Sequence, residues 1–411
     1  MKKYLYSAIP LAAVILSSLF LLTSLDDKAF DLFLRTTRPL NEDKSVLLVN
    51  IDDISIEKVG IYPWTRDVMA DAIVFLREMG AESVVFDLSF LDKSPVKVDP
   101  DYVLNELPGY LDSEFGRIDE TVSQVMDAFA AGQLGSRDAE EYKTQMLDFN
   151  RQVHDSVSVS VSYVARDVDA YFAKTLRYFG NSYLTLTMVT PKSLGGESAD
   201  FRTNYDIPWL EEHVALANVT ADHDTLTRNQ PGIIPAIPEL LGNSHGAGFV
   251  NAEPDADGYR RRVNLLSKFN DHYYAQLAFR PLLERFGNPE IRVTNSRIVL
   301  KGARTARGVR DIAIPRSKDG SILVKWPPKQ YMDYNAISAW DLIGNDEQET
   351  ILTKNLKAME DAGFFSFWTE SATPLEQFRN AQYVKEALLD GEKPEDGITF
   401  EKYREYRESF L

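Results

Sequence analysis

Cysteine is absent from the 411 residues of this chain. Disulfide bridges, thiolate metal sites and cysteine nucleophiles are therefore excluded. The sequence also lacks a phosphate-binding P-loop and an HExxH metal motif, and its five histidines are scattered. Because no catalytic set is recognisable, the sequence predicts neither enzymatic activity nor a cofactor for this chain.

Basic residues are fewer than acidic residues in this chain. The chain has 45 lysine and arginine residues against 62 aspartate and glutamate residues, which gives a net charge of −17. Nucleic acids carry dense negative charge, so a chain of this charge repels them at long range. We therefore expect no nucleic-acid partner.

Charged residues are missing altogether from residues 5–24, whose sequence is LYSAIPLAAVILSSLFLLTS. At a rise of about 1.5 Å per residue, a helix of this length covers a hydrocarbon core of roughly 30 Å. The alternative is a cleaved signal peptide, which has a shorter apolar region of about 7–15 residues and a small-residue cleavage site. We predict one transmembrane helix over residues 5–24.

The charges on either side of this apolar run predict its orientation. Two lysines precede the run and two aspartates follow it. By the positive-inside rule, residues 1–4 form a cytosolic tail. We expect the helix to lie in the bacterial inner membrane, and residues 25–411 to form one domain on the periplasmic or extracellular side.

The region after the apolar run begins with two β-prone segments, Ser45–Asp53 (SVLLVNIDD) and Ser83–Phe90 (SVVFDLSF). Between them, apolar residues at helical spacing predict a helix that ends at Gly80. These apolar residues are Val68, Ala72, Phe75 and Met79. The order predicts a βαβ unit whose two strands pair in parallel. We predict an α/β fold with a mixed or mostly parallel sheet and flanking helices.

Three carboxylates, Asp52, Asp53 and Asp87, stand near the ends of these strands. Ligands of parallel sheets bind beyond the carboxyl ends of the strands, so we expect the three side chains near one another. One hypothesis is a Mg²⁺ site. We favour the alternative, in which Asp52 or Asp53 caps the next helix and Asp87 caps a helix or pairs with an arginine, because no phosphate-binding motif accompanies them.

Trp64 and Arg66 lie between the two predicted strands, in the segment IYPWTRD. An aromatic ring and a guanidinium can stack on or clamp an acidic ligand. They can equally pack against the start of the helix and neutralise nearby aspartates. We predict that Arg66 pairs with Asp87 or with the Asp52–Asp53 pair and that no metal is bound there.

The stretch GFVNAEPDADGYRRR combines acidic residues, a glycine and three arginines. Glu253, Asp255, Asp257 and Gly258 match the first positions of a calcium loop, but Asn264 stands where that loop needs a bidentate glutamate. The arginines would also compete for the carboxylates. We therefore interpret DADG as a tight turn with a left-handed glycine between two segments of strand character.

Several segments taken together resemble the CHASE type 2 domain, the extracellular sensory module of bacterial cyclases and histidine kinases. The resemblance covers most of residues 26–343. In chain order the segments are DDKAFDLFLRTTRP, VLLVNIDD, YPWTRD, GAESVVFDLSF, AKTLRYFGNSYLTLTMV, IPAIPELLGNSHGAGFVNAEPDADGYRRRVNLL, YYAQLAFRPLLERFG, IPRSKDGSILVKW and ISAWDLI.

Two regions depart from the pattern of that family. Residues 93–166 form a charged insertion in which apolar spacing predicts two helices, either as an arm or dimer contact or as a solvated hairpin over the sheet. The residues that carry this spacing are Val122, Val125, Met126, Phe129, Tyr142, Met146 and Phe149. After Ile343 an acidic helical region stands where family members have a further strand, membrane spans and an output domain. We expect the end of the domain to be missing and the chain to be part of a longer protein.

The resemblance implies a binding module without catalytic residues, preferred here over a membrane-anchored periplasmic Mg²⁺-dependent hydrolase that uses the three aspartates. A small molecule or an envelope signal would bind at the strand edges and shift the conformational population of a homodimer. The candidate ligand-binding residues are Asp52, Asp53, Trp64, Arg66, Asp87 and Asn251, with Arg261 nearby. The implied output is an adenylate or guanylate cyclase, with a histidine kinase as the alternative.

Overall fold

Strands and helices both occur along the chain, which has a mixed α/β architecture. The computed structural model describes residue 14 and residues 27–38, 40–95, 97–98, 102–135, 139–162, 165–191, 206–255, 257–369, 372–391 and 398–410. Residues 27–36 are helical and are called the N-terminal helix below. The predicted transmembrane helix over residues 5–24 lies outside the described residues except for Val14. Within the described part of the chain, no helix is long and apolar enough to cross a membrane.

Most strands are short. Three longer strands lie in the middle and in the second half of the chain. The strands are β1 (Leu48–Asn50), β2 (Val84–Val85), β3 (Lys97–Val98), β4 (Ala165–Arg166), β5 (Ser182–Val189), β6 (Val219–Ala221), β7 (Gly232–Pro235), β8 (Gly246–Phe249), β9 (Arg262–Val263), β10 (Leu266–Phe269), β11 (His272–Ala275), β12 (Glu290–Val293), β13 (Arg297–Thr305), β14 (Gly308–Pro315), β15 (Ile322–Leu323) and β16 (Ala336–Ser338).

The α-helices that follow the N-terminal helix vary widely in length. They are α1 (Asp53–Val59), α2 (Arg66–Glu78), α3 (Leu107–Ala130), α4 (Ala139–Ser162), α5 (Val168–Phe179), α6 (Ile207–His213), α7 (Pro238–Leu241), α8 (Phe279–Arg285), α9 (Trp340–Ile343), α10 (Asn345–Asp361), α11 (Pro374–Asp390) and α12 (Phe400–Phe410). Short turns of other helix types occur at Tyr102–Glu106, Tyr331–Asp333 and Phe364–Phe367.

The chain divides into two compact units. The first consists of Met1–Gly60, Tyr183–Ile234 and Gly246–Leu342. One of its sheets has the strand order β14-β13-β12-β6, in which β12 pairs with β13 and β13 with β14 in antiparallel fashion, and β12 with β6 in parallel. Side chains from this sheet, from β10 and β11 and from α8 form a buried core. Its members are Leu266, Tyr273, Ala275, Phe279, Leu283, Ile291, Val293, Ile298, Leu300 and Ala303.

Parallel pairing of β5 with β8 also belongs to the first unit, with Leu184 opposite Ala247 and Leu186 opposite Phe249. A Cβ atom on Gly248 would lie 2.5 Å from the Cα atom of Leu277. Real Cβ atoms do not approach backbone so closely, so only glycine fits at this position. The backbone N–H of Leu277 donates to the carbonyl oxygen of Phe249 at 2.9 Å, which fixes this close approach.

The predicted βαβ unit is wrong in its strand pairing. Strand β1 pairs in parallel with β16, with Val49 opposite Ile337, and β2 belongs to a different sheet. The predicted helix between β1 and β2 is confirmed as α2. Strands that follow one another in sequence are neighbours only about two-thirds of the time, because a strand pairs with whichever backbone the fold brings beside it. The partner of β1 comes from a part of the chain almost three hundred residues away.

The second unit consists of Ile61–Ser182, Pro235–His245 and Ile343–Leu411 and is mainly helical. Helices α2 and α5 pack against each other. Their apolar faces bury Ala70, Ile73, Val74, Phe172, Leu176 and Phe179. The carboxylate of Asp167 accepts a hydrogen bond from the backbone N–H of Ala170 at 3.0 Å and so caps the start of α5.

The region after Ile343, which the sequence predicts to be helical and acidic, contains α10, α11 and α12 and is built into the second unit. Glu78 of α2 is buried and accepts a hydrogen bond from the hydroxyl of Tyr403 at 2.6 Å. Lys385 of α11 lies 3.2 Å from the same carboxylate, and Arg407 of α12 also binds it. Side chains of α11 and α12 therefore bind and neutralise the buried carboxylate of α2.

The two helices predicted within residues 93–166 are confirmed as α3 and α4. They contact each other, and the guanidinium of Arg117 lies 5.4 Å from the ring centre of Phe149. Much of their surface faces solvent, and Val122 and Met126 are both exposed. Whether these helices form a dimer contact remains a prediction.

Candidate functional site

The first unit contains a cluster of charges centred on Arg261, one of the predicted site residues. The Nε and Nη2 atoms of Arg261 donate to the two carboxylate oxygens of Asp31, at 2.8 Å and 2.7 Å. Nη1 and Nη2 donate to the two oxygens of Asp257, both at 2.8 Å, and Nη1 reaches Asp255 at 3.3 Å. The ring of Tyr259 lies 4.9 Å below the guanidinium. Arg261 thus binds three carboxylates, two of them in bidentate fashion.

Arg262 forms the second part of this cluster. It binds Asp27 at 2.8 Å and Asp255 at 2.9 Å. Asp27 and Asp31 are four residues apart, so both carboxylates project from the same face of the N-terminal helix. The Arg261 cluster, defined as Asp27, Asp31, Asp255, Asp257, Arg261 and Arg262, therefore joins that helix to the segment around residue 257.

That segment is the tight turn predicted for DADG. The N–H of Gly258 donates to the carbonyl oxygen of Asp255 at 2.9 Å, and Gly258 has φ 86°, a left-handed conformation that suits glycine. The N–H of Asp255 donates to the carbonyl oxygen of Tyr259 at 2.7 Å. The turn is confirmed, and its carboxylates bind arginines, as expected from the competition that argued against calcium.

The charges of the Arg261 cluster stabilise one another. Hydrogen bonds from Arg261 are the main reason why the pKa of Asp31 and the pKa of Asp257 lie below the usual value. The same bonds, first to Asp31 and then to Asp257, raise the pKa of Arg261. The guanidinium is 4% exposed, whereas the carboxylates of Asp31 and Asp257 are 38% and 46% exposed. Arg261 is therefore a buried cation, and two of the three carboxylates that it binds reach water.

Asp52 caps a helix, as one of the two predicted alternatives states. Its Oδ1 atom accepts hydrogen bonds from the backbone N–H of Ser55 at 2.9 Å, from the hydroxyl of Ser55 at 2.6 Å and from that of Ser338 at 2.8 Å. The cap begins α1, and Ser338 belongs to β16. These bonds hold the pKa of Asp52 below its usual value. Asp52 is engaged in structure and joins α1 to the strand that pairs with β1.

Asn251 also has a structural role. Its side-chain amide donates to the carbonyl oxygen of Met188 at 2.8 Å, and its side-chain oxygen accepts from the N–H of Met188 at 2.7 Å. The amide side chain therefore reproduces the two bonds of a backbone pairing and continues the β5–β8 ladder past its last strand residue.

Arg66 has a different partner from the predicted one. Its Nη1 atom lies 2.5 Å from Oδ1 of Asp169, and its Nη2 atom donates to the carbonyl oxygen of Asp92. The other oxygen of Asp169 accepts from the N–H of Ser94 at 2.9 Å. Both side chains of the pair are buried, and the ring of Phe90 lies 5.4 Å from the guanidinium. The predicted pairing with Asp87 or with the Asp52–Asp53 pair is wrong, because α5 brings Asp169 to the start of α2.

The other candidate residues are placed as follows. Trp64 is buried, with its ring 5.7 Å from that of Tyr62. Asp53 lies in the first turn of α1 and Asp87 just beyond β2, and both are exposed. Within the described part of the chain, neither carboxylate forms a side-chain hydrogen bond or an ion pair. Among the described residues, no group of three histidine, aspartate or glutamate side chains is able to hold a metal ion.

Sequence reasoning missed the ion pair of Asp224 with Arg316, which is the most deeply buried one among the described residues. Nη1 of Arg316 donates to Asp224 at 3.0 Å, and the side chains of Arg316 and Asp224 are 2% and 0% exposed, respectively. Tyr273 and the backbone of Thr227 also donate to Asp224. Although burial acts to raise the pKa of Asp224, hydrogen bonds from Thr227, Arg316 and Tyr273 lower it to about 2. An aspartate 92 residues before an arginine is no recognisable signal.

The role of Asp27 and Asp31 was missed as well, although a signal for it exists. Two aspartates spaced by four residues lie on the same face of a helix, and consecutive arginines follow the DADG turn. Only their meeting in space identifies them as partners.

Comparison with known proteins identifies the family. The CHASE2 domain model matches residues 8–362. No curated protein and no solved structure matches the chain. The match includes the N-terminal helix, the DADG turn and both arginines of the Arg261 cluster. The chain therefore belongs to the CHASE2 family, whose members are extracellular sensory domains of signal-transduction proteins.

Proposed function

We propose that this chain is the periplasmic sensory part of a bacterial inner-membrane receptor whose cytosolic output is an adenylate or guanylate cyclase. Membership of the CHASE2 family supports the sensory role, and a CHASE2 domain is itself a sensor without catalysis. The apolar run at residues 5–24, preceded by two lysines, supports the membrane anchor. The choice of a cyclase over a histidine kinase rests on family analogy.

The observation that carries this proposal is the Arg261 cluster. The N-terminal helix comes directly after the apolar run, so any displacement of the helix is passed to the predicted membrane segment. Asp27 and Asp31 attach that helix to the turn at Asp257 through the two arginines. A stimulus that favours one arrangement of the turn would change how the helix is held, and the population of receptor states would shift.

The side-chain contacts of the candidate ligand-binding residues narrow the set that could contact a ligand. Asp52, Arg66 and Asn251 are engaged in helix capping, a buried ion pair and a strand extension. Asp53 and Asp87 have exposed carboxylates. These two are the candidate residues best suited to contact a small molecule or an envelope signal, each within its own unit.

A homodimer is part of the proposal. Cyclase catalytic sites of this class form between two subunits, so the receptor would signal as a pair of identical chains. Sedimentation of the full chain in detergent should give the mass of two chains per particle, and the mass of one chain would contradict this part.

The test of the output uses the complete coding sequence that contains this chain, expressed in a bacterium without its own cyclases. Wild type should accumulate cyclic AMP or cyclic GMP, and Arg261→Ala should change the level of that nucleotide at equal protein amount. Arg285→Ala is the matched control. Arg285 lies in the same unit and forms an ion pair with Asp43, and both of these side chains are exposed. Phosphorylation of a histidine without a cyclic nucleotide would replace the cyclase with a kinase, and the absence of both would refute the receptor proposal.

The test of location uses reporter fusions after Leu40. An enzyme that is active only in the periplasm should be active at this junction, because the fusion follows the predicted membrane helix. Activity of a reporter that works only in the cytosol would overturn the proposed orientation.

A further inference from the structure

The hairpin of β13 and β14 reverses the charge of the chain locally. The segment from Arg297 to Arg310, both included, has five basic residues and no acidic one, in a chain whose net charge is −17. Lys301, in the middle of the hairpin, lies 2.5 Å from Asp311 and is neutralised by it. The residues nearer the end of the hairpin, Arg304, Arg307 and Arg310, form no ion pair within the described part of the chain.

The end of this hairpin is well ordered by its own hydrogen bonds. Thr305 and Gly308 are the last paired residues, and only Ala306 and Arg307 lie between them. The hydroxyl of Thr305 donates to the carbonyl oxygen of Gly308 at 2.8 Å and accepts from the N–H of Arg307 at 3.2 Å. Gly308, directly after these two residues, has φ 92°, the left-handed conformation that glycine adopts where a hairpin turn is followed by a bulge. The hairpin tip is therefore a preformed surface.

The three arginines of the tip point in different directions. Ala303 pairs with Arg310 and Arg304 pairs with Val309. Because successive residues of a strand face opposite sides of the sheet, Arg304 and Arg310 project from opposite faces, and Arg307 stands at the turn between them. All three are exposed. Cations that diverge in this way cannot enclose one small anion, but they can each reach a different charge on an extended anionic surface.

An apolar side chain lies among these cations. Val309 is 72% exposed. It precedes Arg310 in the chain and pairs across the two strands with Arg304, on the same face of the hairpin. Basic residues around an exposed apolar side chain suit the headgroup region of a bilayer, where the cations meet lipid phosphates and the apolar group meets the upper part of the chains. We infer that the hairpin tip, defined as Arg304, Arg307, Val309 and Arg310, docks on the surface of a membrane that contains anionic lipids.

The charge of the rest of the molecule gives the tip its directional effect. The acidic majority of the chain is repelled by an anionic bilayer, whereas the tip is attracted to it. Docking would therefore select which side of the first unit faces the membrane. Docking of the tip does not depend on the identity of the output domain.

The experiment places a fluorophore on the tip of the full chain. Ala306→Cys supplies a unique labelling site, because the chain has no cysteine. The labelled chain is mixed with vesicles of phosphatidylcholine alone or of phosphatidylcholine with phosphatidylglycerol, each with and without a quencher attached to the lipid. Both vesicles accept an apolar segment, so a difference between them reports charge recognition. We expect several-fold stronger quenching with phosphatidylglycerol, and little quenching of a label at exposed Glu57 (Glu57→Cys).

Substitutions then assign the effect to the arginines. Arg304→Gln, Arg307→Gln and Arg310→Gln together should abolish the additional quenching, and the corresponding lysine variants should keep it. Lys44→Gln, Lys354→Gln and Lys357→Gln change the net charge equally at other exposed positions and should also keep it. Equal quenching in both vesicles, no quenching in either, or additional quenching that survives the glutamine variant would overturn the inference, with an acidic protein then the partner to seek.

Discussion

Two arginines of the first unit, Arg316 and Arg261, are both buried but hold their carboxylates differently. Arg316 binds Asp224, which is 0% exposed, whereas Arg261 binds Asp31 and Asp257, which are 38% and 46% exposed. In the first case both charges depend on the folded structure for their hydrogen bonds. In the second case the carboxylates can exchange the arginine for water.

This difference determines what each cluster can do. A buried carboxylate that loses its cation remains in a medium that penalises charge, so the Asp224–Arg316 pair is held in place by the cost of breaking it. An exposed carboxylate recovers its hydration when the arginine is removed, so removing Arg261 leaves a smaller penalty at Asp31 and Asp257 than removing Arg316 leaves at Asp224. The Asp224–Arg316 pair is therefore suited to fix the sheet of β12 to β14, and the Arg261 cluster to adjust the position of the N-terminal helix.

The largest expected effect is that of Arg316→Ala. Removing the guanidinium leaves Asp224 charged, buried and without its cation, which should lower the free energy of unfolding by about 3–5 kcal/mol. Urea denaturation of the full chain followed by tryptophan fluorescence measures this change. Arg307→Ala, at an exposed position without an ion pair in the described part of the chain, should change it by less than about 0.5 kcal/mol. If Arg316→Ala lowered the free energy of unfolding by less than about 0.5 kcal/mol, the cost of breaking the Asp224–Arg316 pair would not be what holds it in place.

The next largest effect tests the same rule in the second unit. Arg66→Ala leaves the buried carboxylate of Asp169 with the Ser94 N–H alone, at a cost of about 1–3 kcal/mol. The same denaturation experiment measures it. The parent chain should unfold at the same temperature with and without a chelator, and a large drop in melting temperature on adding chelator would instead indicate a bound metal.

A smaller effect on global stability is expected from Arg261→Ala, because the released carboxylates return to water. The N-terminal helix should nevertheless lose its attachment through Asp31 and keep only that of Asp27 to Arg262, so its backbone amides should exchange hydrogen several-fold faster while the core strands keep their protection. Hydrogen exchange read by mass spectrometry resolves the two regions. High salt should produce part of the same change in the wild type, since partly exposed charges are screened. Uniform exchange across the whole unit would contradict an adjustable join.

The smallest effect is expected for the Asp224–Arg316 pair between pH 7 and pH 3. Folding lowers the pKa of Asp224 to about 2 from its ordinary 3.8, so the stability that it contributes is complete above the ordinary value and is lost as the pH falls through about 2. Carbon NMR of the aspartate carboxyl groups, with Asp224 assigned by Asp224→Asn, should show it still ionised at pH 3. Protonation of Asp224 near pH 4 would mean that the pair is open to solvent.

Local features of the molecule followed from sequence patterns because their causes lie within a few residues. The apolar spacing of α2, the two helices of residues 93–166 and the DADG turn with its left-handed Gly258 each depend on neighbours in the chain. The helix cap at Asp52 belongs to the same class, since its acceptor meets the N–H of Ser55 three residues later. The order of such segments along the chain was also sufficient to suggest the family.

Partners in space were decided only by the tertiary structure. Arg66 binds a carboxylate 103 residues away and Arg261 one 230 residues away, and β1 pairs with a strand near the end of the first unit. Electrostatic attraction and backbone pairing depend on distance in the folded chain, and many aspartates in this acidic sequence satisfy the same local pattern. Packing of α5 against α2, and of the N-terminal helix against the turn at Asp257, selected which carboxylate each arginine binds.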